Sequence, residues 1–369
     1  MSKSWQDELK NNICSIGELK KHLKLTKNEE KTLKKVTDIH PMSVTRYYFS
    51  LIDKNDKNDP IRKMIMPSAD ELDLSGSYDP SCEQANTKMP GLQHKYSQTA
   101  LILSTNRCSA YCRHCFRKRF VGLKNEEIIE RFSDAVRYIK KHKEIDNILI
   151  SGGDPLILPT KIINIFLDLL TQIPHVKYIR FGSRIPTVFP TRIIQDKQLI
   201  KLFKKYSTKK KIYVITHFNH PCEITAKSVE AIKLLLDANV SLNNQTVLLK
   251  DVNDNADILA QLFNKLIEVE IFPYYLFQCR PVKRVKKHFQ VPLKDGYYIF
   301  ENAKKKIKAH ILCKRLKYIM SHRTGKIEII GILEDKIYFK YHQAKNPKDL
   351  GKFFSKKLNS TAAWLDDLK

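Results

Sequence analysis

The chain has 369 residues, 42% of them hydrophobic, enough to fill a large α/β domain with an extension. No run of about 20 apolar residues suggests a membrane span, the opening "MSKSWQDELKNN" carries no apolar signal region, and eight cysteines are too sparse for a disulfide scaffold, so a cytoplasmic location is expected. The net charge of +27 comes from lysines spread along the whole chain without an aromatic-interleaved motif, which predicts a solvated basic surface and excludes nucleic acid as the expected partner.

Residues 1–98 form an N-terminal helical and connector region. "IGELKKHL" and "EEKTLKKVTDIHPMSVTRYYFSLI" carry apolar residues at helical spacing, and residues 56–98 are punctuated by Pro, Asp and Ser. Strands are predicted at "TALILST" (99–105), "NILISG" (147–152), "YIRFGS" (178–183), "IYVITHF" (212–218), "LNNQTVLL" (242–249) and "FPYYLFQ" (272–278). Between them lie the helical patterns "EEIIERFSDAVRYIKKH", "IINIFLDLLTQI", "IIQDKQLIKLFKKY", "TAKSVEAIKLLLDA" and "DILAQLFNKLIEV". This alternation predicts an α/β fold, a partial (β/α)6 barrel over residues 99–300; the two further units of an eightfold barrel are not visible. Residues 301–369 are expected to add a helix carrying Cys313 in its core, a β-hairpin over 326–341 and a tail.

Three cysteines, Cys108, Cys112 and Cys115, cluster in "NRCSAYCRHCFRKRF" directly after the first strand of the barrel, at the end where such barrels build active sites. A structural zinc site normally closes with four ligands, yet the next cysteines stand at 222 and 279. Three thiolates suit an iron–sulfur cluster with one iron left open. A zinc loop recruiting a distant ligand is the competing reading, and it leaves the barrel pattern and the next motif unexplained. That motif, "ISGGDP", places Ser151, Gly152, Gly153 and Asp154 at the end of the second strand, where adjacent glycines expose backbone to a ligand.

The C-x3-C-x2-C spacing resembles that of the radical S-adenosylmethionine (SAM) enzymes. More closely, "DPIRKMIMPSADEL", "PGLQHKY", "CSAYCRHCFRKRF", "ISGGDPL", "RFGSRIPTVFPTRI", "THFNHPCEIT", "NNQTVLLKDVND", "FPYYLFQC" and "KHFQVPL" resemble, in order and spacing, the lysine 2,3-aminomutase family over most of residues 59–345. The resemblance implies a 4Fe–4S cluster on the three cysteines and SAM on its open iron, cleaved to a 5′-deoxyadenosyl radical that abstracts hydrogen. It implies SAM contacts for Ser151, Gly152, Gly153, Asp154, Ser183, His217 and Gln245. It further implies an amino-acid substrate whose carboxylate meets Arg117, an electron donor such as flavodoxin or ferredoxin, and a homo-oligomer as one possible state.

The family's aminomutases also carry pyridoxal phosphate on a lysine in a glycine-rich C-terminal segment. Here that segment reads "SHRTGKIEIIGILEDKIYFKYHQAK" without a glycine run, and Lys326 is the nearest candidate. Of the family's phosphate-binding residues Tyr96 is kept, while Lys95 and Thr99 replace arginines. A divergent radical enzyme without pyridoxal phosphate, acting on an acidic or macromolecular substrate, is the alternative expectation. Arg280 stands where lysine-specific members place an acid for the distal ammonium, so glutamate-like acids fit its charge better than lysine. Asn255 stands where a zinc-binding cysteine would belong, and no structural zinc is expected.

Overall fold

The computed structural model describes residues 4–308 and 315–369. Twelve strands form one sheet whose order follows the sequence. They are β1 (Thr87–Met89), β2 (Leu92–Tyr96), β3 (Thr99–Thr105), β4 (Asn147–Gly152), β5 (Tyr178–Gly182), β6 (Lys211–Thr216), β7 (Ser241–Leu248), β8 (Phe272–Gln278), β9 (Lys317–His322), β10 (Gly325–Leu333), β11 (Lys336–Ala344) and β12 (Phe353–Lys357). From β3 to β9 every neighbouring pair is parallel. The first two strands and the last three are antiparallel additions at the two edges.

The six predicted barrel strands all form, each within a residue or two of its expected bounds. Alternation explains their orientation. Ile148 and Ile150 of β4, and Ile179 and Phe181 of β5, are buried under the surrounding helices, while Leu149, Ser151, Arg180 and Gly182 line the concave face. Helices Phe132–Lys141, Thr160–Thr171, Lys197–Ser207, Ala226–Asp237 and Ala256–Glu268 cover the convex face with apolar stripes such as Ile163, Phe166, Leu167 and Leu170. Asn255 starts the last of these as its N-cap, its Oδ1 accepting from the Asp257 and Ile258 amides at 2.8 and 3.2 Å.

The structure departs from the expected elements at several places. The helix expected from Glu126 begins only at Phe132, because the Ile129 amide donates to the Leu103 carbonyl at 2.9 Å and ties that turning stretch to β3. The pattern "IIQDKQLIKLFKKY" is two helices, Thr191–Gln195 and Lys197–Ser207, broken at Asp196, whose Oδ1 caps the second at the Leu199 amide, 2.9 Å away. A seventh parallel strand, β9, follows the sixth, and the expected hairpin is β10–β11 extended by β12. Cys313, expected on the helical pattern "HILCKRLK", lies outside the described residues. Among those described, no helix is long and apolar enough to cross a membrane.

Candidate active site

A cavity of about 400 Å³ runs along the concave face, from the cysteine loop to the hairpin β10–β11. Cys108, Cys112 and Cys115 line one end, and none of them forms a disulfide. The loop that carries them is fixed from outside the cavity. The Arg113 amide donates to the Met64 carbonyl at 2.8 Å, and the Arg113 guanidinium grips the buried Glu71 carboxylate through Nε (2.7 Å) and Nη2 (2.6 Å). Lys118 joins the same carboxylate. Burial alone would raise the Glu71 carboxyl, but Arg113 and Lys118 outweigh it and hold the group down at about 2.

The glycine pair packs against this loop. Gly152 has φ +116°, and a Cβ there would lie 2.4 Å from the Thr105 carbonyl oxygen; at Gly153 it would lie 2.2 Å from that of Arg107. Only glycine permits this approach. Asp154 follows with its amide on the Arg107 carbonyl at 2.8 Å. Its carboxylate accepts from Ser183 Oγ (2.7 Å), the Arg184 amide (2.7 Å) and the Leu156 amide (3.0 Å), so it braces the β4 and β5 ends. Burial raises its carboxyl to about 6 against the lowering effect of Ser183.

Arg184 ties the site together. Its Nη1 lies 2.7 Å from Cys112 Sγ, its Nε donates to the His217 carbonyl at 3.1 Å, and its Nη2 bonds Glu223 (2.5 Å) and Tyr48 Oη (2.9 Å). His217 faces the cavity with a buried Nε2 that has no hydrogen-bond partner among the described residues. Burial, then Arg184, lowers its imidazole to about 3, so it is neutral. Gln245 also lines the cavity and donates from Nε2 to Tyr274 Oη.

Glu83 enters from the connector, which the pairing of Ser77 with Pro281 and Lys283 and of Ser81 Oγ with the Ser321 carbonyl (2.7 Å) lays across the ends of β8 and β9. Arg117 and Arg119 each bind its carboxylate at 3.2 Å, and Arg280 lies 3.9 Å away. Burial opposes ionisation of Glu83, yet Arg117, Arg280 and Arg119 hold its carboxyl at about 2. Arg117 and Arg280 flank the Phe116 ring, their guanidinium carbons 4.7 and 4.0 Å from its centroid. The two arginines singled out from opposite ends of the sequence therefore share one corner.

At the far end Lys326 Nζ lies 5.0 Å from the Tyr275 ring centroid and 5.9 Å from that of Tyr96. Among the described residues it pairs with no carboxylate. Burial, then Arg180, Lys95 and Arg280, lowers its ammonium to about 7. Tyr275 Oη is fixed 2.6 Å from His342 Nε2 on β11. Arg180, not singled out in the sequence, projects from β5 with Nε 2.8 Å from Asn147 Oδ1. A cation between the outward apolar residues Ile179 and Phe181 was the available signal. In all, six cations (Lys95, Arg117, Arg180, Arg184, Arg280, Lys326) and two carboxylates (Glu83, Asp154) line the cavity.

A family model described as the radical SAM superfamily matches residues 102–262. A putative L-lysine 2,3-aminomutase of Aquifex aeolicus is 40% identical over 354 residues, covering 95% of this chain and 94% of that one. The chain belongs to the lysine 2,3-aminomutase family. Other members similar to it include the L-lysine 2,3-aminomutase of Clostridium subterminale, 41% identical over 300 residues (80% of this chain, 71% of that one). The glutamate 2,3-aminomutase of Clostridioides difficile is 37% identical over 302 residues (80% and 69%). As a lysine 2,3-aminomutase family member, this chain is a radical SAM enzyme of the amino-acid aminomutase type, and the family implies a 4Fe–4S cluster and SAM. The cavity fits both: three soft donors free of disulfides at one mouth suit a site-differentiated cluster, and the His217 Nε2 without a partner among the described residues suits a polar ligand.

Proposed function

We propose that the chain is a pyridoxal-phosphate-dependent 2,3-aminomutase whose substrate is an amino acid with a second anionic group. The observation that carries this reading is Lys326. It is a half-buried lysine, without a carboxylate partner among the described residues, in the same cavity as the cysteine trio, and its amine is neutral in part near pH 7. Desolvation beside other cations is what makes a lysine able to bind a carbonyl group covalently. The alternative without pyridoxal phosphate rests on the missing glycine-rich segment, the replaced arginines and the basic surface, and Lys326 in this setting supports the cofactor-dependent reading against it.

Cys108, Cys112 and Cys115 would hold the cluster, and the cluster with SAM supplies the hydrogen-abstracting radical when bound. Lys326 would hold pyridoxal phosphate, which would supply electron delocalisation beside the amino group. The chain's own residues prepare the ground for both. Arg184, bound to Glu223 and Tyr48, anchors Cys112 and the end of β6 in one piece. Ser183 and Asp154 brace the glycine turn, and neutral His217 offers Nε2 to the nucleoside side of the cavity. Lys95, Tyr96, Thr99 and Arg180 lie on the Lys326 side and suit a phosphate dianion. Arg117 and Arg280 would each take a carboxylate of the substrate, with Glu83 holding the two guanidiniums in register. A cation, Arg280, in place of an acid at this corner favours an anionic substrate over one with a distal ammonium.

The test is borohydride reduction of the anaerobically reconstituted enzyme loaded with pyridoxal phosphate, followed by peptide mass mapping. A pyridoxyl group on Lys326, absent from Lys326→Met while reduced enzyme still releases deoxyadenosine, is the expected result. Label on another lysine, or none, refutes the reading.

A further inference from the structure

We propose that His94, His142 and Glu144 form a transition-metal site, of the type that takes zinc, distinct from the active-site cavity. His94 lies on β2, His142 directly follows the helix Phe132–Lys141, and Glu144 stands two residues on. One ligating atom from each lies within 4.8 Å of the other two. A tetrahedral zinc with bonds of about 2.0–2.2 Å needs ligands roughly 3.3–3.5 Å apart, which small side-chain rotations supply.

Hydrogen bonding sets the His94 imidazole in the form a metal requires and points His142 at Glu144. His94 Nε2 lies 3.0 Å from the Ser97 carbonyl oxygen, which can only accept, so Nε2 carries the proton. Its Nδ1 is left as a lone pair, 3.0 Å from Tyr138 Oη. A ring N–H donated to a backbone carbonyl is the usual support behind a metal-bound histidine. His142 Nδ1 and Glu144 Oε1 face each other at 2.8 Å, so an ion taking both would replace the Nδ1 proton, with the ring proton moving to the outward Nε2. The Tyr138 ring stacks on His142 at 4.0 Å and meets His94 edge-on at 5.9 Å, so both rings are oriented before any ion arrives. Two imidazoles and a carboxylate suit zinc, with copper and nickel as competitors, and leave a fourth position for water. Lys140, Lys141 and Lys143 flank the site and weaken its attraction for a dication. A hydrogen-bonded aromatic cluster without an ion is the competing account.

The position gives the site a consequence. The strand register shifts between Gln93 and Tyr96, and Lys95 and Tyr96 both line the cavity. A metal on His94 would pin β2 to the end of the helix and steady that wall.

The experiment uses cluster-loaded holoenzyme, freed of loose metal with chelator and titrated anaerobically with zinc, iron content being followed throughout. One equivalent is expected, weakened at least tenfold in His142→Ala and in Glu144→Gln at unchanged iron. Cobalt should give the intense visible bands of a four-coordinate site, lost in the same variants. Both residues are at least partly exposed, and thermal melting of each variant verifies its fold. Absence of zinc binding, or binding that survives both substitutions, overturns the proposal. So does an equivalent lost only on Cys112→Ala, since that zinc would sit on the cysteine loop.

Discussion

The cations of the cysteine loop and those around Lys326 differ in what neutralises them. Arg113 and Lys118 share Glu71, Arg117 and Arg119 share Glu83, and Arg184 holds Glu223. Among the described residues, Lys326 and Arg180 at the hairpin end have no carboxylate within ion-pair reach, and the buried Gln343 Oε1 has no hydrogen-bond partner. Breaking a buried pair costs about 3–5 kcal/mol, so the saturated end is a rigid mount for a group of fixed geometry. The unsaturated end carries charge that folding alone leaves uncompensated, the mark of a place reserved for an anionic ligand.

Gly153→Ala attacks the rigid end and should have the largest effect. Its Cβ would meet the Arg107 backbone carbonyl at 2.2 Å, so the cysteine loop must move rather than a side chain. Misplacement by about 1 Å costs about 10²-fold or more in rate. Reconstituted iron and deoxyadenosine release, measured together, should fall in step. Normal values for both would show that this end tolerates displacement, and the contrast between the two ends would fail.

The rigid end was also the more legible in sequence. The cysteines and "SGGD" are short contiguous motifs set by strand ends, and alternation located the six barrel strands. Glu71, Glu83 and Glu223 were not singled out, because each reaches the site through tertiary contact from a loop whose local sequence only announces a turn. The place of Lys326 was hidden for a related reason. With the glycine run gone, only the pairing of β10 with β9 and β11 shows that "TGK" returns to the cavity. β9 and β12 escaped because "KYIMSH" is buried almost throughout and "FFSKK" is a half-exposed edge, so neither has the clean alternation of a half-buried strand.

Arg280→Gln probes the shared corner and should have a middling effect. Losing one charge-assisted contact costs about 1.5–3 kcal/mol, so KM for a dicarboxylic amino acid should rise roughly 10–100-fold. Deoxyadenosine release without substrate should persist, and preference should move towards neutral or basic amino acids. An unchanged ranking across a substrate panel would remove Arg280 from substrate selection and leave it as a partner of Glu83.

Lys326→Met tests the unsaturated end where the effect is smallest and its sign most telling. The ammonium drops from an ordinary 10.5 to about 7 on folding, chiefly through burial. Between these values the unfolded chain binds more protons than the folded one, so stability from this group rises with pH across that window. Below about pH 7 the cost of burying the charge is present in full; above 10.5 it is gone. The cofactor-free methionine variant should therefore be more stable than the parent at pH 6–7 by roughly 1–3 kcal/mol, an advantage that shrinks towards pH 10. Lys95 and Lys118, both lowered to about 8 by burial, tilt the parent's own profile the same way. The difference between parent and variant urea melts, not either curve alone, carries the result. Binding pyridoxal phosphate to the parent should then reverse the order, because the ligand stabilises only the chain that can hold it. A variant no more stable than the parent at any pH would mean that Lys326 is solvated or paired in solution, and the case for a reserved anion site would fall with it.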